Sequence, residues 1–177
     1  MRQVTGRLAR AALAGLFVMA SAASAVQPAP PCLEQREAED LVVFVLPALT
    51  DAMARKCTPL LPGSATLSRS GPSLAARYRP DSNAAWPNAR LAFNKLSGGD
   101  TLSFLSDEVN RKIIEEASSA AIVADFKAKD CAMIDRFIGA LSPLPARNVA
   151  QLVALFMEIG EKEGKSPMNI CRSESAR

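Results

Sequence analysis

The chain has 177 residues, with 21 lysines and arginines against 18 acidic residues, four cysteines and no histidine. Without histidine it cannot build a Ser-His-Asp triad, a Cys-His pair, an HExxH metalloprotease site or a CxxCH haem site, so whole classes of enzyme are excluded. The positive balance comes from Arg2, Arg7 and Arg10; beyond residue 25 the chain has 18 charges of each sign and no basic footprint for nucleic acid or anionic membrane.

Residues 1–25 have the layout of a cleaved secretory signal peptide. A positive start leads into the apolar run Ala11 to Ala20, and the small-x-small triplet Ala23, Ser24, Ala25 follows. That run is about half the roughly 20 residues needed to cross a bilayer. Cleavage after Ala25 is expected, which leaves residues 26–177 as one periplasmic or secreted domain with no membrane span in the mature chain. Its length suffices for a single hydrophobic core.

Residues 26–33 form an extended, proline-rich lead-in. Pro30 and Pro31 occupy the places where a lipoprotein signal has small aliphatic residues, so Cys32 is expected to be structural and not acylated. Cys32, Cys57, Cys131 and Cys171 are even in number, and an exported chain with that count is expected to hold two disulfides. No two of them form a CxxC motif, and the close spacings of an all-cysteine zinc site are missing. No calcium loop or methionine cluster is present either, so neither a metal nor a cofactor is expected.

From Glu34 to Lys56 the apolar residues Val42, Val45, Leu46, Leu49 and Met53 recur at helical spacing. Such a helix, if Pro47 only kinks it, holds Cys32 and Cys57 on the order of 35 Å apart, whereas bridged Cα atoms lie within about 7 Å. The pairing of Cys32 with Cys57 is therefore disfavoured, and each is expected to join Cys131 or Cys171. Against this, Cys131 and Cys171 flank a helical hairpin and can also meet.

Residues 58–74 are rich in Pro, Gly and Ser and read as loop. From Ser73 to Leu96 helical pieces alternate with expected breaks at Pro80 and Pro87, and Ser97 to Asp100 is a stop. Ser106 is placed to cap a helix whose first turn carries Asp107 and Glu108, with Val109, Ile113, Ala117 and Ala121 as its stripe. Asp130 is placed to cap a helix over Cys131 to Leu141, with Met133, Ile134, Phe137, Ile138 and Leu141 on one face. After the turn at Ser142 to Pro145, a last helix from about Arg147 to Glu163 is expected to bury Val149, Leu152, Val153, Phe156 and Ile159. The polar residues 172–177 form a tail. The fold class expected is all-α, a compact irregular bundle of about five helices stapled by two disulfides.

The most distinctive stretch runs from Leu74 to Phe93 and holds Tyr78, Trp86, Arg77, Arg79 and Arg90, including the only tyrosine and the only tryptophan. Arginine beside aromatic rings suits stacking on sugars or clamping of anionic groups. Equally, Trp86 suits a core anchor, and Arg77 and Arg79 suit pairing with the acidic first helix. Carboxylate catalysis needs two acids roughly 5 to 9.5 Å apart across a groove. Asp107, Glu108, Glu115 and Glu116 lie on one helix and Glu37, Glu39 and Asp40 on another, in places where acids ordinarily complement the helix dipole.

These features point to a soluble, non-enzymatic binding or interaction module of the bacterial periplasm or envelope, whose partner is a protein or saccharide of the cell envelope. The competing expectations are a carboxylate-dependent envelope hydrolase and a bundle that holds a small ligand between its helices. An interaction module carries an exposed apolar or aromatic patch without a deep cleft, whereas the hydrolase requires the facing carboxylate pair.

Overall fold

A computed structural model describes residues 31–99, 104–162 and 169–171. The expected signal peptide 1–25, residues 26–30 of the lead-in and the tail 172–177 lie outside the described residues. Within them, five α-helices carry the fold: α1 (Gln35–Cys57), α2 (Thr66–Ser97), α3 (Asp107–Asp125), α4 (Cys131–Leu141) and α5 (Ala146–Lys162). Single 3-10 turns stand at Thr58–Leu60 and Ala128–Asp130. The class is all-α; among the described residues, extended pairing is confined to an isolated bridge between Leu33 and Ile170. There the Leu33 N–H donates to Asn169 O at 2.9 Å and the Cys171 N–H to Leu33 O at 2.8 Å.

Helix α1 is central because Leu41 to Val45 is apolar on every side and has no polar face to offer water. All five of these residues are buried, and α2, α3 and α5 pack around them. Phe44 meets the Trp86 ring of α2 with centroids 4.9 Å apart. Pro47 lies inside α1 without breaking it. Two nearby carbonyls also accept from hydroxyls: Ser82 of α2 donates to Phe44 O at 2.7 Å, tying α2 to α1, and Thr50 donates to Leu46 O at 2.7 Å.

Helix α2 overturns two expectations. It begins at Thr66, inside the stretch that composition marks as loop, and runs unbroken to Ser97 through Pro72, Pro80 and Pro87. The three prolines are all exposed, so each stands on the solvent side of the helix, where a carbonyl left without a donor is least costly. The inner stripe Leu67, Gly71, Leu74, Ala75, Tyr78, Ser82, Ala85, Trp86, Ala89 and Ala92 is continuous and buried, and its burial against α1 holds the helix together. Helix α4 supplies the N-terminal cap of α2, because Asp135 Oδ1 accepts from the Leu67 N–H at 2.7 Å.

The two long helices approach closely at Gly71. A Cβ there would stand 2.8 Å from the Ala54 Cβ, which cannot swing away. Gly71→Ala is therefore expected to lower stability by about 1–2 kcal/mol, overpacking outweighing the helix propensity gained. Urea unfolding checks this, and an unchanged midpoint would show that the helices separate without cost.

Two disulfides are present, Cys32–Cys171 and Cys57–Cys131. Both are long-range, and Cys32 does not pair with Cys57 because α1 is unbroken. The second bridge ties the end of α1 to the start of α4, and Met53, Ala54, Leu67 and Ile134 bury it in a small core of its own.

Three local expectations are corrected. On α5 the buried residues are Ala146, Val149, Ala150 and Ala154, while Leu152, Phe156 and Ile159 are exposed. The helix is rotated so that small alanines meet the other helices closely, and an ion pair from Arg147 to Asp40 at 2.6 Å fixes that rotation. On α3 the inward residues are Asn110, Ile114 and Ser119, leaving Val109 and Ile113 exposed. That rotation accompanies Arg79, which reaches from α2 to Glu115. Asp130 precedes α4 but serves the turn before it, its Oδ2 accepting from the Lys127 N–H at 2.8 Å.

Candidate functional site

The residues singled out between Leu74 and Phe93 are held by internal partners. Trp86 is 6% exposed and donates its indole N–H to Asp107 Oδ2 at 2.8 Å, and Arg90 reaches the other oxygen of that carboxylate at 3.3 Å. Arg79 bridges Asp51 of α1 and Glu115 of α3. Arg77 lies over the Tyr78 ring, 5.3 Å from its centroid, and donates to Ser142 O. Tyr78 is 3% exposed and its hydroxyl donates to Leu144 O at 3.4 Å. The fold thus brings Trp86 and Arg90 together on Asp107, and Arg77 and Tyr78 together on the α4–α5 turn. It does not gather the five residues into one surface.

Tyr78 does reach a site that sequence reasoning missed. A cavity of about 350 Å³ lies between α1 and α4. One long wall is α1, from Val42 through Val45, Leu46, Leu49 and Thr50 to Met53; the other is the expected α4 face of Met133, Ile134, Phe137, Ile138 and Leu141. Leu74 and Tyr78 of α2, Val149 and Val153 of α5, and Ile122 and Phe126 at the end of α3 complete it. Helix α4 packs against α2, and its start is joined to the end of α1 by the Cys57–Cys131 bridge and by the small core that Ile134 shares with Met53 and Ala54. Met133 and Phe137, both more than half exposed, and Ile122 mark the opening of the cavity.

The chemistry of the cavity is uniform. Its two polar side chains, Thr50 and Tyr78, already donate to main-chain carbonyls, so the wall presents hydrocarbon. No carboxylate lines it. The buried acids are occupied elsewhere: Asp40, 2% exposed, accepts from Arg147 at 2.6 Å and from Asn88 at 3.0 Å, and Glu39 accepts from Gln35 at 3.1 Å. Burial disfavours the Glu37 carboxylate, but the Lys95 ammonium at 2.8 Å and the Glu34 N–H outweigh it and hold that carboxyl below the usual carboxylate range. Among the described residues no group of acids or cysteines is placed to hold a metal ion.

Fold and cavity together define an all-α bundle, stapled by disulfides, with an open apolar space between helices. The chain matches no protein-family model, and neither a curated protein nor a solved structure is measurably similar to it.

Proposed function

We propose that this protein works by binding, and that the space between α1 and α4 takes up an apolar ligand. The observation that carries this reading is the cavity itself, whose volume of about 350 Å³ falls within the roughly 300–1,000 Å³ range of ligand pockets. A well-packed interior leaves few voids larger than a water molecule, so a gap of this size edged by exposed Met133 and Phe137 is anomalous for a bundle built only to be stable. A saccharide would need hydrogen-bond partners that this wall does not offer, and a carboxylate hydrolase would need acids there. A ligand-holding bundle is therefore preferred over both.

The compartment belongs to the same proposal. Two disulfides suit an oxidising location, the leader-like residues 1–25 suit export, and among the described residues no helix is long and apolar enough to cross a membrane.

Titration of the oxidised protein with an environment-sensitive apolar dye is expected to give saturable 1:1 binding with a blue-shifted emission. Leu49→Phe, which fills the cavity from α1, is expected to abolish that signal while the melting temperature holds or rises. A dye signal that does not saturate, or that survives Leu49→Phe unchanged, would sink the reading.

A further inference from the structure

We infer that two copies of this chain pair through the outer face of α5. The helix is inverted in size: Ala146, Ala150 and Ala154 are buried, while Leu152, Leu155, Phe156 and Ile159 are between 38% and 60% exposed. Folding alone gains most by burying the larger side chains, yet the ion pair from Arg147 to Asp40 holds α5 in the rotation that leaves them outside. The four stand at the i, i+3, i+4, i+7 spacing of a helix-packing stripe, and no charged residue shares it. Apolar surface continues from there to the cavity. Leu152 and Phe156 adjoin the lining residues Val149 and Val153 at three-residue spacing, and across that cavity Met133 and Phe137 of α4 are more than half exposed.

A large apolar side chain offers on the order of 200 Å² when fully exposed, so the stripe together with Met133 and Phe137 presents on the order of 600 Å² to water. That equals the largest patch of a typical monomer, about 300–600 Å², and with its polar rim it approaches the roughly 800 Å² per partner of a stable complex. Charge and symmetry select a second copy as the occupant. A charged partner finds no counter-charge on the stripe, whereas the residues after 25 carry 18 charges of each sign, so two copies approach without net repulsion. A two-fold axis between Leu155 and Phe156 sets the helices antiparallel, Leu152 against the partner's Ile159 and Leu155 against the partner's Phe156, and makes each contact twice. Pairing there also lays the second copy along the edge of the cavity.

Sedimentation equilibrium of the oxidised full chain tests this. A monomer–dimer equilibrium with a Kd on the order of 10 µM is expected, at the weak end for an interface of this size. Leu155→Glu and Phe156→Glu, both on exposed side chains, should each raise that Kd about tenfold or more, because pairing would bury an unpartnered carboxylate. Circular dichroism of each variant should match that of the parent chain. Leu91→Glu, on an equally exposed apolar residue of α2 outside the stripe, should leave the Kd unchanged. A chain that stays monomeric to about 1 mM, a dimer that survives both α5 substitutions, or one that Leu91→Glu weakens as much would overturn the pairing. Saturable dye binding by such a monomer would leave the apolar-ligand reading in place. A dimer that binds no dye would remove that reading and leave the pairing intact.

Discussion

Arg147→Met is expected to destabilise the protein by about 2–3 kcal/mol, one of the largest losses available from a single residue without touching the apolar core. The guanidinium lies 2.6 Å from Asp40 Oδ1 and 3.9 Å from Glu39 Oε2, both carboxylates being at least nine-tenths buried. Removing the cation from a buried pair leaves an uncompensated charge, which typically costs about 3–5 kcal/mol. The lower figure is expected here because the Arg147 side chain is 44% exposed, which lets water screen the pair, and because Asn88 still donates to Asp40 at 3.0 Å. The double variant Arg147→Met/Asp40→Asn should recover more than half of the loss, since the charge that needed Arg147 is gone. Chemical denaturation of the four-member cycle checks this; additive losses would show that the two residues do not act together.

The second large effect concerns the bridge between α1 and α4. Cys57→Ser/Cys131→Ser frees a loop of 74 residues, for which chain entropy estimates about 4 kcal/mol, and measured losses run about 2–5 kcal/mol. Cys32→Ser/Cys171→Ser frees 139 residues and is expected to cost a similar amount. The two separate in binding. Because Cys57–Cys131 is the covalent tie between the α1 and α4 walls, its loss loosens one wall of the cavity, and dye affinity should fall at least tenfold at temperatures where the variant is still folded. Loss of Cys32–Cys171, which joins two segments outside the helices and ties neither cavity wall, should leave affinity unchanged below its melting point. Equal loss of binding in both variants would show that the cavity depends on global stability alone.

Much of the helical order is legible in the residues. Ser106 caps α3 with its Oγ accepting from the Val109 N–H at 3.4 Å, and the spacing of Val42, Val45, Leu46, Leu49 and Met53 reads as one helix carried through Pro47. What fails is any inference that needs the third dimension. A proline reads as a breaker until one knows that its helix turns it to water, as α2 does three times over. The stripe on α5 is ambiguous between two rotations, and the choice rests on Arg147 meeting Asp40, 107 residues away. The cavity is harder still. Met133, Ile134, Phe137, Ile138 and Leu141 spell the same face whether a neighbour packs against it or stands back. Their shared face is readable from spacing, but the gap before it depends on where Cys131 and Asp135 pin α4. The Tyr78 and Trp86 segment drew attention by its composition, and most of its polar groups turned out to join helices.

The pairing of Leu33 with Ile170, closed by Cys32–Cys171 with Cα atoms 4.9 Å apart, also decides how the domain bears load. Tension applied through residues preceding Cys32 and following Cys171 passes across one covalent bridge and does not reach the helices. Whatever is tethered at either side can pull on the other without prying α4 from α1, and the bundle stays mechanically silent until that bridge is reduced.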